Sequence, residues 1–149
     1  PNKDMLRADL TLDMSCRGMS DARLDHVRRH LERDPRFREL TVLHLYDNKI
    51  TSHGMRQVCL LNPERITTIW LGHNRIRDAG VATFVSIPWP RLSQLFLDDN
   101  YIGDDGAEML TVVSGVRRLG LHTNCLTETG VGRLKKMSYD ALWVHPQRR

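Results

Sequence analysis

Histidines at 44, 73, 122 and 145 fall near aspartates at 47, 98 and 99 once the chain is aligned on its own internal repeats. An imidazole beside a carboxylate can move a proton or hold a metal ion. Neither chemistry has its usual company in this sequence, which contains no HExxH, no CxxC pair, no GxSxG and no phosphate-binding glycine loop. His73 and Asp99 occupy columns that adjacent units bring together, and a surface His beside an Asp is far more often a modest ion pair than a catalytic dyad. Nothing resembles a nucleophile with its base. The reading is non-catalytic: no catalytic residues, no metal site and no cofactor. Cys125, between Asn124 and Leu126, reads as a partly buried, inert thiol.

The positions of these residues follow from a repeat. LYDNKITSHGMRQV (45–58), LGHNRIRDAGVATF (71–84), LDDNYIGDDGAEML (97–110) and LHTNCLTETGVGRL (121–134) share one layout. The aligned asparagines Asn48, Asn74, Asn100 and Asn124 are spaced by 26, 26 and 24 residues. Ahead of each runs an apolar frame at fixed offsets: Leu40, Leu43, Leu45; Ile66, Ile69, Leu71; Leu92, Leu95, Leu97; Val116, Leu119, Leu121. Two residues past each Asn the chain is apolar again, at Ile50, Ile76, Ile102 and Leu126. A period in the range of about 20–50 residues marks a stacked repeat architecture.

Each column has a physical reason. The apolar–polar–apolar triplet predicts a short strand with one face inward. Successive strands stack in parallel through right-handed crossovers. The chain then turns sharply, leaving backbone groups inside, and an Asn side chain can both donate to and accept from them. Ser52, Asp78 and Asp104 are placed to cap the following helices, and Glu128 is a weaker match. Gly54, Gly80, Gly106 and Gly130 predict a close approach of helix backbone to a neighbour. Apolar residues one, four and seven past each glycine give one buried helix face: Met55, Val58, Leu61; Val81, Phe84, Ile87; Ala107, Leu110, Val113; Val131, Leu134, Met137.

The pattern LxxLxLxxNxL resembles the leucine-rich repeat, and the glycine followed by a helical stretch is similar to its ribonuclease-inhibitor-like subfamily. The resemblance covers roughly 40–145, with units shorter than is usual there. It implies an α/β fold: a right-handed solenoid with parallel strands on the concave face and short helices on the convex face. The chain is read as a single domain, 1–149. Residues 5–34 form an N-terminal capping unit, 40–137 four complete repeats and 138–146 a terminal strand. In the cap, Leu10 and Leu12 are assigned to the strand, Met19, Asp21, Leu24 and Val27 to the later columns, and Arg23 replaces the glycine. At the far end Tyr139, Leu142 and Val144 match a last strand. The Arg-rich cap helix suits the polar outer surface that stacked repeats require at their ends.

Function is sought in the outward strand columns. One holds His44, Trp70, Phe96, Gly120 and Trp143; the next Tyr46, Gly72, Asp98, His122 and His145; then Asp47, His73, Asp99 and Thr123. Large aromatics facing water, rimmed by polar groups, mark a partner site rather than strand packing alone. His44, Tyr46, Trp70, Phe96 and Trp143 are the expected anchors, with Asp47, His73, Asp98, Asp99 and His122 selecting at the rim. The expected partner is a protein, as one subunit of a larger assembly, and the resemblance does not name it.

Composition sets the outer bounds. The 149 residues carry a net charge of +4 and a pI near 9.3. That permits an RNA-associated role through the Arg-rich N-terminal helix, which is the alternative. Acidic residues interrupt the basic ones, so no continuous nucleic-acid track emerges. No apolar run approaches the ~20 residues of a membrane span, and no secretory leader pattern opens the sequence. Cys16, Cys59 and Cys125 are odd in number and far apart, which reads as an intracellular, reducing compartment: cytoplasmic, or an organelle matrix after removal of a targeting segment.

Overall fold

The computed structural model describes residues 5–148. It is an α/β fold with one parallel sheet of six strands in chain order: β1 (Thr11–Asp13), β2 (Val42–His44), β3 (Thr68–Trp70), β4 (Gln94–Phe96), β5 (Arg118–Gly120) and β6 (Ala141–Trp143). A helix follows each of the first five: α1 (Asp21–Leu31), α2 (Met55–Cys59), α3 (Arg77–Val85), α4 (Asp104–Leu110) and α5 (Glu128–Lys135). A 3-10 helix, Pro35–Glu39, joins α1 to β2. Helices pack on their neighbours in the same order as the strands.

The register places the central apolar residues in one line: Leu12, Leu43, Ile69, Leu95, Leu119, Leu142. Leu45, Leu71, Leu97, Leu121 and Val144 form a second buried line, and the helix columns close the core against them. Each fully buried aliphatic side chain contributes about 1.5–3 kcal/mol relative to exposure. The predicted helix columns are buried or partly buried except at the last unit, where Met137 is 40% exposed.

The first strand lies two residues later than the sequence suggested. Leu12 pairs with Leu43, Met14 takes the place of Leu45 and is fully buried, and Leu10 sits outside the strand with φ of 65°. A slip of two keeps the same faces in and out, so alternation alone does not distinguish the two registers. With the correct register the spacing to Met19 is regular, and Arg17 stands where other units have Asn. The chain ahead folds back on β1: Leu6 bridges Leu12 in antiparallel sense, and the Arg7 N–H donates to the Thr11 carbonyl at 2.8 Å.

The helix caps also differ from expectation. Ser20 and Thr127, one residue before the assigned column, cap α1 and α5, accepting from the N–H groups of Arg23 and Thr129. Asp78 and Asp104 lie inside the first turns of α3 and α4 and serve the next unit instead. Asp78 accepts from the Gly103 N–H at 2.7 Å, and Asp104 from the Thr127 N–H at 2.8 Å. Asp21 does the same for Thr51, accepting from its N–H at 2.9 Å and its hydroxyl at 2.6 Å. Ser52, with no carboxylate to offer, donates its hydroxyl to the Ile76 carbonyl at 2.6 Å.

The glycine column makes room for these bridges. A Cβ on Gly54, Gly106 or Gly130 would run into the carboxylate of Asp21, Asp78 or Asp104 respectively. At Gly80 it would lie 3.0 Å from Met55 Cγ and 3.3 Å from Ser52 Cα.

The asparagines form the other ladder. Asn74 Nδ2 donates to the carbonyls of Leu45 and Leu71, both at 3.0 Å, and its Oδ1 accepts from the Ile50 N–H at 3.0 Å. Asn100 and Asn124 repeat the pattern one and two units on. Asn48 reaches back to the Met14 carbonyl and the Met19 N–H, both at 2.9 Å. Gln147 closes the ladder, donating to the Leu121 carbonyl at 3.0 Å and accepting from the Leu126 N–H at 3.3 Å. The last unit therefore reaches past 146. Among the described residues every buried side-chain nitrogen and oxygen has a partner.

Candidate functional site

The sheet's outer face carries three rows of side chains set by the strand register. In the first, Asp13, His44, Trp70, Phe96, Gly120 and Trp143 stand side by side on the six strands. Parallel strands about 4.8 Å apart bring such rings into stacking range. His44 stacks on Trp70 with centroids 5.9 Å apart and planes at 9°, and Trp70 on Phe96 at 3.9 Å and 14°. Phe96 reaches across Gly120 to meet Trp143 at 5.7 Å and 40°. That reach needs the glycine, because a Cβ there would sit 2.8 Å from the Phe96 ring.

The stack changes the standing of one expected anchor. Phe96 is only 8% exposed, covered by its neighbours, whereas Trp143 is 45% and Tyr46 39% exposed. Phe96 is the packing centre of the row, Trp143 is its accessible end, and Tyr46 is the accessible ring of the row beside it. Tyr46 leans over Gly72 and meets His73 edge-on at 4.9 Å.

The second and third rows supply charge. Asp98 Oδ1 accepts from the His122 N–H at 3.1 Å and lies 3.3 Å from His122 Nε2. Burial raises the Asp98 carboxyl above its ordinary value, and His122 pulls against that shift. His73 Nδ1 lies 2.9 Å from Asp99 Oδ2, the meeting the columns predict, and Asp99 also forms an ion pair with Arg148. The Arg148 guanidinium sits 4.1 Å from the centre of the Tyr101 ring. His44 is depressed by burial, opposed by the nearby Asp13. Asp47 is exposed and belongs to the turn rather than to this cluster. His145 is likewise exposed beyond β6.

The third row has a backbone reason as well. Cys16, Asp47, His73, Asp99 and Thr123 all adopt left-handed backbone, with φ of 52–56°. Asp and His tolerate this region better than most side chains. The acid-rich rim thus arises in part from the turn that ends each of the first five strands.

One arrangement invites a chemical reading. His122 bridges Asp98 and the Thr123 hydroxyl, with Nδ1 3.1 Å from Thr123 Oγ1. Acyl transfer would also require N–H donors aimed at a developing oxyanion. The nearby Thr123 and Asp99 N–H groups are already bonded to the Pro146 and His122 carbonyls. The three residues make a hydrogen-bonded stretch of the rim. Among the described residues no group of three His, Cys, Asp or Glu side chains is arranged to hold a metal ion.

Two adjoining hollows open along the face, of about 470 and 390 Å³. Trp70, Phe96, Asp98 and His122 line both; Tyr46 borders the first and Trp143 the second. Cys125, expected to be partly buried, is exposed, as is Cys16; Cys59 is buried, with its thiol pushed up to about 11 by burial. No family model matches this chain, and no curated protein matches it in sequence.

Proposed function

We propose that this chain is a leucine-rich-repeat solenoid, similar to the ribonuclease-inhibitor-like group, that binds a partner protein through its concave sheet face without catalysis. The repeat reading is supported by the constant register, by the Asn ladder that ties each unit to the next, and by the Asp–Gly pairs at Gly54, Gly106 and Gly130. The observation that carries the functional reading is the unbroken aromatic row from His44 to Trp143. A continuous apolar stripe ending in half-exposed rings, with charged groups along one side, is the surface of an interface core and its rim.

The alternative, an RNA-associated subunit docked through α1, has weaker support. Arg28 is buried against Asp25, Glu32 and Gln57, and Arg29 pairs with Asp25. A reducing, intracellular setting is consistent with three unpaired cysteines, two of them exposed. Among the described residues no helix is long and apolar enough to cross a membrane.

The test is affinity capture from source cells with the wild-type chain and a Tyr46→Ala/Trp143→Ala variant. Both residues are exposed, so the variant retains its circular dichroism spectrum. The reading requires a partner that the wild type captures and the folded variant loses. Equal capture by both would remove the sheet face from consideration.

A further inference from the structure

We propose that the Arg- and His-bearing face of α1 carries a second binding site, for an acidic peptide segment that presents one bulky apolar side chain. This site is independent of the sheet face.

A hollow of about 430 Å³ opens on this face, with Met5, Val27 and Leu31 as an apolar floor and Arg17, Arg23, His26 and His30 around it. Arg23, His26, Val27 and His30 share one face of α1 because they recur at spacings of three and four. The carboxylates of α1 are committed elsewhere. Asp21 holds Thr51 of the next unit, Asp25 pairs with Arg28 and Arg29, and Glu32 with Arg28. Among the described residues no carboxylate pairs with Arg17 or Arg23; Arg23 reaches only the Arg17 carbonyl, at 3.5 Å. Among the described residues the polar groups around the hollow are all cationic or titratable bases.

The repeat logic says what such a rim receives. Arg23 occupies the column that Gly54, Gly106 and Gly130 fill in later units. At those glycines the preceding unit delivers a carboxylate: Asp21, Asp78 and Asp104 in turn. In α1 the residue at this position is a cation, Arg23. A partner's Asp or Glu approaching from that side would meet the Arg23 guanidinium, where the later units have a glycine that leaves room for an acid bonded to Thr51, Gly103 or Thr127. The apolar floor sets the second requirement, a side chain large enough to cover Val27 and Leu31. Among the described residues no Phe, Tyr or Trp lines the hollow, so it lacks the stacking platform on which single-stranded nucleic acids settle. Charge and floor together favour an acidic peptide over RNA.

Fluorescence anisotropy tests this with three labelled probes of equal charge: a glutamate-rich peptide with one central Phe, an all-glutamate peptide, and a single-stranded RNA. The full chain is expected to bind the Phe-containing peptide at least about tenfold more tightly than either other probe. Arg17→Glu/Arg23→Glu should weaken that binding by at least about tenfold, and Val27→Lys should weaken it while adding positive charge. Trp143→Ala should leave it unchanged. Arg17→Gln/Arg23→Gln serves if the charge reversal perturbs the circular dichroism spectrum. The proposal is overturned if the Phe peptide does not saturate, if the RNA binds as tightly, or if neither arginine pair variant weakens the peptide. It is also overturned if sedimentation shows a dimer that the arginine variants dissociate, since the face would then belong to a second copy of this chain.

Discussion

The carboxylate of Asp21 occupies the space that a side chain on residue 54 would need, so Asp21 and Gly54 are fixed as a pair across two units. The acid spans the gap to the Thr51 N–H and hydroxyl, and the glycine lets it in.

Gly54→Ala should therefore destabilise the fold by about 1–3 kcal/mol, the usual range for overpacking. Gly132→Ala is the control. Gly132 lies within α5 with nothing within 4 Å of its missing Cβ, so Ala there should stabilise by about 0.5–1 kcal/mol through helix propensity. Urea unfolding of the two variants should move in opposite directions; a shared direction would mean that the Asp21 carboxylate does not exclude a side chain at 54.

Asn100 is fully buried and binds the Ile76 N–H and three carbonyls. Asn100→Ala leaves these groups without that partner and should cost at least about 1–3 kcal/mol. Gln147→Ala removes the same kind of rung at a half-buried position and should cost less, about 1 kcal/mol. Guanidinium denaturation ranks the two; a larger loss for Gln147 would contradict the ladder as described.

Burial depresses the folded-state value of His44 below the ordinary imidazole value of about 6.5. The stability this supplies is present above about pH 6.5 and is lost as pH falls through the lower folded value. Urea midpoints should therefore fall on acidification from pH 7.5 towards 5, and His44→Phe should flatten that slope. Asp98 acts with the opposite sign. Its raised value gives stability that is full below the ordinary carboxylate range and lost as pH rises through the folded value. An unchanged slope in His44→Phe would show that His44 does not titrate differently on unfolding.

Much of the fold was legible because the repeat multiplies weak signals. One Leu–Leu–Asn run is ambiguous, but four in register fix strands, Asn ladder and buried helix faces together. What escaped lies where copies diverge or where two positions share a periodicity. β1 was misplaced by two residues because Leu10, Leu12 and Met14 all keep the inward phase. Asp78 and Asp104 passed for caps because a carboxylate in a first helical turn looks alike whether it serves its own helix or the next unit. Gln147 escaped because it performs an asparagine's task with a longer side chain, 23 residues past Asn124. Among the site residues, the row through His44, Trp70 and Phe96 and the His73–Asp99 meeting followed from alignment. The burial of Phe96 did not, since it depends on how far each ring leans toward its neighbour.

The left-handed turn residue that ends each of the first five strands, from Cys16 to Thr123, restricts how this surface can diversify. A unit duplicated into the row brings its own turn residue, and the backbone admits few side chains there at low cost, with Asn, Asp, His and Gly foremost. The aromatic row has no such backbone filter; its steric demand falls at Gly120, where a Cβ would meet the Phe96 ring. The row of His44, Trp70, Phe96 and Trp143 is thus the freer of the two to vary, while the neighbouring rim draws on a short alphabet that the chain's own geometry dictates.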